Sequence, residues 1–354
     1  MSKRKKSSPL SQLFLFINSI TALLLLLSYL AYYLNPTYFW FISILGLAYP
    51  FLLVINAAFA LFWIINLNKN CCLPILVIIL GWNHIEHHFQ LPVINRDTVQ
   101  NGDISIISYN VQGFHYGDKK YMKDIVSLLD KQNTDIICLQ EFFLSAKKRN
   151  QIKNTPSLSE YKYKRISRKY GGLVTLSKKK IINSGIISKK GSFPFAVYHD
   201  IIIKNDTIRF YNIQLKSIKL KDEKMIFSNM ENINNEESTR KIISMINKLK
   251  IAYKNRPSQV ESILTNISAC PYQYILTGDF NVTPLSYTYQ KLSSELLDSY
   301  IEKGQYTGDS YNENLPPIRI DYILHTKTYK AIDFKILKTK LSDHYPIITS
   351  LLKN

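Results

Sequence analysis

Two long stretches without a charged residue lie near the N-terminus, and they constrain the fold more than any other feature of the sequence. Residues 13–34 carry no charge, and as a helix of 22 residues they would be about 33 Å long, enough to cross the hydrocarbon core of a bilayer. Asn35-Pro36 ends this stretch, and residues 39–67 form a second one with Pro50 inside, which predicts a kinked span. A basic start and an apolar centre also fit a cleaved signal peptide, but no small-residue cleavage site follows, so we expect retained anchors.

A third apolar run, residues 71–82, decides the predicted topology. It can span only if it continues through residues 83–91, which contain Glu86 and three histidines, and we place this third span at residues 71–90. The basic residues at positions 3–6 and Lys69 should stay inside. Three spans then put the rest of the chain outside the cytoplasm. If the third run only enters the membrane–water interface, the rest of the chain lies in the cytoplasm. We expect residues 1–95 to form a membrane anchor.

The histidines and cysteines of this N-terminal part do not predict a metal site. His84 and His88 are one helical turn apart, but no third ligand is evident nearby, and polar residues where a span meets water are the simpler interpretation. Cys71 and Cys72 are adjacent, a spacing that rarely chelates one metal well, and the four cysteines imply no disulfide framework.

The remainder of the chain is basic and has the composition of a soluble domain. Residues 1–95 hold five basic residues and one acidic residue of the 45 and 26 in the chain, so the remainder keeps +15 of the net charge of +19. Such a charge favours a polyanionic partner, either nucleic acid or an anionic lipid surface. A lysine-rich solvated surface is the alternative, because the chain is rich in Lys, Ile and Asn. Residues 96–102 are polar, end in Asn-Gly and are typical of a linker to a domain at residues 103–352.

Strand patterns and helical patterns alternate along this domain. β-Branched runs predict strands, and apolar residues at helical spacing predict helices. The predicted strands are 103–111, 135–139, 172–176, 196–203, 207–215, 274–276, 320–324 and 347–351, and the predicted helices are 121–129, 237–251 and 257–267. This order indicates an α/β sandwich with mixed sheets.

Polar residues recur where the predicted strands end. They are Asn110, Glu141, Asp279 with Asn281, Asp321, and Asp343 with His344. Carboxylates, amides and one imidazole, without a thiolate, suit Mg²⁺ or Mn²⁺, whose remaining coordination sites take water and phosphate oxygen. An Asp near an Asn can orient a water, and an Asp-His pair can supply a positive, proton-bearing group to an oxyanion. Together these groups indicate metal-assisted hydrolysis of a phosphate ester.

The order of these motifs resembles one known superfamily. The motifs are Tyr109-Asn110-Val111, Leu139-Gln140-Glu141, Gly278-Asp279-Phe280-Asn281 with Pro284, Arg319-Ile320-Asp321-Tyr322-Ile323 and Ser342-Asp343-His344-Tyr345-Pro346. They resemble the endonuclease/exonuclease/phosphatase superfamily, which includes exonuclease III-like enzymes, deoxyribonuclease I-like enzymes, neutral sphingomyelinases and inositol polyphosphate phosphatases. The resemblance covers residues 103–351 and implies a four-layer α/β sandwich with two mixed β-sheets. The first 95 residues resemble a bacterial branch with hydrophobic spans before the catalytic domain, and we expect a protein of the bacterial inner membrane. With three spans, the distribution of the basic residues places the catalytic domain outside the cytoplasm.

The resemblance implies a divalent metal, Mg²⁺ or Mn²⁺, and a substrate site beside it. Glu141 would be the main metal ligand, Asp343 would help to bind metal or tune that site, and Asn110 would position the metal's surroundings and the phosphate. Gln214 stands where many relatives carry a histidine. An amide does not gain or lose a proton near neutral pH, but it can hydrogen-bond phosphate. Gln112 stands where some nuclease relatives carry an acidic residue, which weakens the case for a second metal.

The same resemblance assigns the chemistry to four residues. Asp279 would orient or deprotonate the attacking water, and Asn281 would hold a phosphate oxygen. His344, oriented by Asp321, would bind the phosphate and stabilise the developing charge. The implied protein is a membrane-anchored phosphoesterase acting on a phosphodiester or phosphomonoester of a nucleic acid, a phospholipid or an inositol phosphate. The alternative, which Gln214 favours, is a catalytically impaired, membrane-held module that binds a phosphate ligand without cleaving it.

Overall fold

The computed structural model describes residues 9–92, 102–116, 119–143, 158–166, 171–189, 192–218, 236–311 and 318–354. In these ranges the helices are α1 (Pro9–Tyr29), α2 (Pro36–Ile65), α3 (Cys72–Leu80), α4 (Trp82–Glu86), α5 (Met122–Gln132), α6 (Glu236–Ser268), α7 (Tyr287–Ser293) and α8 (Ser299–Lys303). The strands are β1 (Phe89–Gln90), β2 (Ile104–Asn110), β3 (His115–Tyr116), β4 (Lys119–Lys120), β5 (Ile136–Phe143), β6 (Tyr163–Ile166), β7 (Gly171–Ser177), β8 (Ile181–Ile187), β9 (Ala196–Ile203), β10 (Asp206–Gln214), β11 (Gln273–Asp279), β12 (Leu297–Asp298), β13 (Tyr306–Thr307), β14 (Asp321–His325), β15 (Tyr329–Ile336) and β16 (Ile347–Lys353). The predicted linker at residues 96–102 lies outside the described residues except for Gly102.

Two mixed sheets form the centre of the domain that follows the N-terminal helices. Among the described residues the β11 sheet has the order β12-β14-β11-β10-β9-β8, and the β2 sheet has the order β15-β16-β2-β5-β7-β6. The pairs β10–β11 and β2–β5 are parallel, and their neighbours are antiparallel. Apolar side chains of both sheets, including Ile106, Cys138, Phe210 and Ile275, share one buried core. The predicted α/β sandwich with two mixed sheets is confirmed.

Helices cover the outer faces of both sheets and complete four layers. Helix α5 has an apolar side that includes Ile125 and Leu129, and this side packs on the β2 sheet. Helices α6 and α7 pack on the β11 sheet through residues such as Ile263 and Tyr289. The sequence predicts two helices at 237–251 and 257–267, but α6 is continuous through Pro257. Residues on both sides of this proline are buried against the domain. This packing compensates for the backbone hydrogen bond that proline cannot donate.

The N-terminal helices form an antiparallel arrangement held by polar contacts. Trp63 Nε1 donates to Asn18 Oδ1 (3.0 Å), and Asn56 Nδ2 donates to the Thr21 carbonyl (3.0 Å), which joins α1 to α2. Two helical segments, Pro9–Tyr32 and Pro36–Ile65, are long and apolar enough to cross a membrane by length and composition. Helix α2 continues through Pro50, where the sequence predicts a kink, and its irregular backbone lies at Phe39 instead.

The third apolar run is divided at Gly81 into α3 and α4. A Cβ at Gly81 would lie 2.2 Å from the ring of Tyr29, so only glycine lets these helices approach. The Tyr29 hydroxyl donates to the Val77 carbonyl (2.9 Å), which places α3 beside α1. The two short helices together are shorter than α1, and a crossing at residues 71–90 stays a prediction.

The end of α4 docks on the β11 sheet. Arg319 Nη2 donates to the His87 carbonyl (2.9 Å), and the Tyr300 hydroxyl donates to the His88 carbonyl (3.1 Å). Strand β1 pairs with β13 immediately afterwards. His88 Nδ1 contacts the His84 carbonyl (2.8 Å), and the two histidines pack on Tyr49 at the end of α4.

The α/β domain contacts one end of the N-terminal helices. At that end, Gly46 packs on the Leu285 carbonyl, and a Cβ there would be 2.5 Å from this oxygen. At the other end, Phe14 of α1 stacks on Phe62 of α2 (ring centroids 5.0 Å apart), close to the turn that carries Lys69. The start of α1 and the Lys69 turn therefore lie away from the α/β domain.

Candidate active site

The predicted site residues meet where strands of both sheets end. Asp279 is the last residue of β11 and pairs with Asp321, the first residue of β14. Asn110 ends β2 in the other sheet, and its Nδ2 donates to Asp279 Oδ2 (3.0 Å), which bridges the two sheets. These three side chains are buried, so their hydrogen bonds are made in a low-dielectric environment.

His344 lies between the two aspartates. Its Nδ1 is 2.8 Å from Asp321 Oδ2, and its Nε2 is 3.8 Å from Asp279 Oδ2. The Tyr311 ring covers the imidazole edge-on at 5.1 Å, and the main chains of Tyr311 and His344 form an isolated β-bridge. The arrangement is a carboxylate–imidazole–carboxylate row.

The charges of this row change the pKa of two of its members. Burial alone would lower the pKa of His344, but the carboxylates of Asp321 and Asp279, together with the Asp321 hydrogen bond, raise it to about 10. Burial raises the pKa of Asp279 to about 7, and the positive charge of His344 opposes this rise. Near neutral pH His344 is therefore protonated, whereas Asp279 can gain or lose a proton, as a general base must.

Glu141 sits in a strained backbone position at the edge of the same site. Its φ is +51°, and it lies in a β-bulge of β5 between Leu139 and Phe142. Such left-handed conformations in non-glycine residues concentrate at functional sites. Gln214 Nε2 donates to Glu141 Oε1 (2.8 Å), and Oε2 receives no hydrogen bond from the described part of the chain. The bulge directs a half-buried carboxylate to the site, and Gln214 fixes its orientation.

The turn after β11 holds Asn281 beside Asp279. Asn281 also has a left-handed backbone (φ +55°), its N–H donates to Asp279 Oδ1 (2.9 Å), and its Nδ2 donates to the Leu215 carbonyl (3.2 Å). Gly278 has a φ of +134°, and a Cβ there would be 2.0 Å from the Ile213 carbonyl oxygen. Glycine is therefore required for β11 to approach β10 and turn into the site.

Ser342 and Asp343 lie in the segment before β16, and Ser342 joins this segment to the end of β2. Ser342 Oγ donates to the Asn110 carbonyl (2.8 Å) and lies 3.3 Å from Asp343 Oδ1. The charge of Asp343 also helps to raise the pKa of His344. All eight site residues predicted from the sequence thus lie in connected segments around the row.

The metal-ligating atoms of the site fit a divalent cation at Glu141 better than one within the row of Asp321, His344 and Asp279. The ligand-capable atoms of Asp279, Asp321 and His344 lie within 4.8 Å of one another, and within the described ranges no other such group of His, Cys, Asp or Glu occurs. A protonated imidazole, however, has no lone pair for a metal and occupies the space between the two aspartates. The Glu141 Oε2 oxygen, which no described residue hydrogen-bonds, is an oxygen donor of the kind that Mg²⁺ or Mn²⁺ prefers.

The sequence did not reveal one charged residue behind the site, Arg256 of α6. It is fully buried, its Nε donates to the Lys216 carbonyl (2.9 Å), and Nη1 and Nη2 have no hydrogen-bond partner within the described residues. Burial lowers its pKa to about 10, which Tyr253 and Asp279 oppose. Gln259, one turn later, accepts from the Lys216 N–H (3.0 Å). Arg256 falls between the two predicted helices, 237–251 and 257–267, so the helical pattern of the sequence did not place it on the buried side of α6.

Comparison with known proteins agrees with the fold and the order of the motifs. A family model for the endonuclease/exonuclease/phosphatase family matches residues 107–344, which is more than half of the chain. A model for a domain of unknown function, DUF8431, matches residues 11–88. No curated protein matched in a sequence search.

Similar solved structures include three bacterial proteins of the endonuclease/exonuclease/phosphatase family. The Bacteroides vulgatus protein is 16% identical with a TM-score of 0.52, and the match covers 71% of this chain and 99% of the other. The Beutenbergia cavernae protein is 12% identical with a TM-score of 0.51 and 72% coverage of both chains. The Bacteroides thetaiotaomicron protein is 16% identical with a TM-score of 0.50, covering 72% of this chain and all 100% of the other. At these identities the likeness shows the fold alone.

Proposed function

The chain belongs to the endonuclease/exonuclease/phosphatase family, and from this membership and the site geometry we propose that it is a membrane-anchored, metal-dependent phosphoesterase. The observation that carries the proposal is the row Asp321–His344–Asp279 at the joined edges of the two sheets, with Glu141 beside it. It combines a protonated imidazole, a carboxylate that titrates near neutral pH and an oxygen ligand for a cation. These are the parts that hydrolysis of a phosphate ester needs.

In the proposed reaction Asp279 takes the proton of the attacking water. Its pKa of about 7 leaves it a basic carboxylate at neutral pH, and the Asn110 hydrogen bond fixes its direction. The Asn281 side chain would contact a phosphate oxygen from the adjoining turn. The water oxygen forms the new P–O bond while the ester P–O bond breaks. The leaving group departs as an alkoxide that takes a proton from solvent, and Asp279 returns the water proton to solvent.

His344 would stabilise the charge that develops on the phosphoryl oxygens. Its raised pKa keeps the imidazole positive, and Asp321 holds Nδ1 so that Nε2 points toward Asp279 and the substrate. Glu141, with Asp343 and Asn110 nearby, would hold the cation. When bound, Mg²⁺ or Mn²⁺ supplies a Lewis acid for a phosphate oxygen.

The proposed location is a bacterial inner membrane with the catalytic domain outside the cytoplasm. The domain contacts the end of the anchor opposite the start of α1 and the Lys69 turn. Because basic flanks stay in the cytoplasm, this packing supports an extracytoplasmic domain. Fusions of alkaline phosphatase and of a fluorescent protein to the C-terminus would test it, and activity of only the cytoplasmic reporter would contradict it.

The activity is tested with full-length protein in detergent on a panel of single-stranded DNA, RNA, phospholipids and inositol phosphates, with Mg²⁺, Mn²⁺ and chelator arms. We expect metal-dependent turnover of at least one class, abolished by Asp279→Ala and by His344→Ala. Asp333→Asn, an exposed carboxylate paired with Lys335 on β15, is the matched control and should retain full activity. Turnover that both site variants leave unchanged would refute the assigned roles.

A non-cleaving phosphate-binding module is the second candidate function. The observation that favours it is that Gln214, which carries no transferable proton, is engaged with Glu141. This candidate predicts metal-aided binding of a panel ligand that is recovered intact, and any turnover by the wild-type protein eliminates it.

A further inference from the structure

The first half of α6 exposes apolar side chains that the fold leaves uncovered. Ile243, Ile246 and Ile251 are 54%, 37% and 54% exposed. In contrast, Leu249, Ala252 and Tyr253 of the same helix are buried against the domain. A helix that is buried on one side and carries three exposed isoleucines on another has a second apolar surface.

Basic residues lie on the same exposed side of this helix. Ile243, Ile246, Lys250 and Lys254 follow one another at spacings of three and four residues, so they share one side of α6. Alternation of apolar and basic residues along a helix surface is typical of helices that lie in a membrane interface, where the apolar groups enter the acyl boundary and the cations meet lipid phosphates.

The position of this surface relative to the anchor identifies what covers it. Helix α6 packs against α2, and the Lys250 ammonium lies over the Trp40 ring, 5.5 Å from its centroid. Trp40 is near the start of α2, at the end of the anchor that contacts the catalytic domain. Were α2 to cross a bilayer with Trp40 at the headgroup level, Lys250 would lie at that level too, and the neighbouring exposed isoleucines of α6 would be within reach of the lipid interface.

We propose that the α6 surface, formed by Ile243, Ile246, Lys250, Ile251 and Lys254, lies on the outer leaflet and binds the phosphates of anionic phospholipids. The proposal rests on the membrane anchoring proposed above. Its occupant is the bilayer rather than a soluble polyanion, because isoleucines gain nothing from a nucleic acid backbone but are removed from water in a lipid interface. The contact would also link the leaflet to the site, since Arg256 of the same helix supports the strand end beside Asn281.

Depth-dependent fluorescence quenching in nanodiscs tests this surface in the full-length protein. Cys71, Cys72 and Cys270 are replaced by serine, and a fluorophore is attached through Ile243→Cys, Val54→Cys or Ile186→Cys, one at a time. Val54 is 68% exposed on α2 and reports the span, whereas Ile186 is 56% exposed on edge strand β8 and reports a surface away from the anchor. The nanodiscs contain phosphatidylcholine alone or mixed with phosphatidylglycerol, with nitroxide quenchers on the headgroup or the acyl chain.

We expect the label at position 243 to be quenched by headgroup nitroxides at least about twofold more strongly in anionic than in neutral nanodiscs. The double variant Lys250→Gln with Lys254→Gln should abolish that difference, and the matched variant Lys330→Gln with Lys335→Gln on β15 should retain it. The label at position 54 should be quenched by acyl-chain nitroxides and the label at position 186 by neither.

The outcomes separate the two proposals. Quenching at position 54 with none at position 243, or quenching at 243 that ignores lipid charge, overturns the α6 surface and leaves the anchor intact. Absence of acyl-chain quenching at position 54 overturns the anchor itself. Equal quenching at positions 243 and 186 would indicate nonspecific adsorption and would also overturn the proposal.

Discussion

The pH dependence of catalysis should depend on Asp321, although this carboxylate need not touch the substrate. Asp321 Oδ2 lies 2.8 Å from His344 Nδ1, and both side chains are buried. Asp321→Asn retains an oxygen that can accept the Nδ1 hydrogen bond but removes the negative charge. The protonated imidazole then loses its strongest electrostatic support while the geometry of the row is largely kept.

The size of the effect follows from the distance and the burial. An opposite charge this close shifts a pKa by about 1–3 units, which corresponds to about 1.4–4 kcal/mol. The pKa of His344 should therefore fall from about 10 to between about 7 and 9 in the variant. The direction of the pH effect follows from the chemistry of imidazole. The side chain of His344 is positively charged below its pKa and loses this charge as the pH rises through the pKa.

The assay is kcat/KM for bis(4-nitrophenyl) phosphate in Mg²⁺, measured from about pH 5 to about pH 10. This leaving group needs no general acid, so an alkaline limb reports loss of the positive charge on His344. In the wild type, activity should rise through the Asp279 pKa of about 7 and decline only toward pH 10. In Asp321→Asn the alkaline limb should move about 1–3 units lower. An alkaline limb that stays in place, in a variant with wild-type melting temperature, would refute the role of Asp321.

Three further changes have defined expectations. Gln214→Ala should raise the Mn²⁺ concentration for half-maximal activity by about 10–100-fold, because Glu141 loses the amide that orients it; a metal titration with unchanged half-maximal concentration would contradict this. In the wild type Arg319 Nη1 lies 2.6 Å from Asp298 Oδ2, and Arg319→Met leaves this buried carboxylate without its cation. Urea denaturation in detergent should show a free energy of unfolding that is lower by about 3–5 kcal/mol. A chain that begins at residue 102 should melt at a lower temperature than the full-length protein, because β13 and Arg319 lose their partners in β1 and His87; equal melting temperatures would show that the anchor contributes no stability.

Local patterns were sufficient to predict the central strands. The hairpin of residues 196–203 and 207–215 appears as β9 and β10 in antiparallel register. Each of these strands is bounded by turn residues and is rich in Val, Ile and aromatics, so its own sequence specifies it. Strand β8 was missed because Asn183-Ser184-Gly185 interrupts its apolar run, and a strand at a sheet edge can tolerate such a segment.

The composition of the site could also be predicted, whereas its electrostatics could not. Polar residues at strand ends indicated a shared edge, and Asp279 and Asp321 are indeed cross-strand partners. The sequence assigns Gln214 to substrate binding, which stays a prediction. In the structure Gln214 Nε2 donates to Glu141 Oε1, because the end of β10 in one sheet meets β5 of the other sheet at the site. Which carboxylate titrates near neutral pH depends on burial and on the spacing of charges, and these are properties of the folded chain.

The anchor and the catalytic row share one short segment, which the sequence did not suggest. Arg319 Nη2 donates to the His87 carbonyl of the anchor, and two residues later Asp321 contacts His344. Ser310 Oγ accepts the backbone N–H groups of Ile320 and Asp321 (3.1 and 3.0 Å), so this segment is held on a second side. Because Asp321 lies two residues after Arg319, which donates to the His87 carbonyl, the orientation of His344 depends in part on the docking of the segment that follows α4. The predicted division at residues 96–102 describes a change in composition, whereas the packing makes the segment that follows α4 part of the scaffold that positions the row.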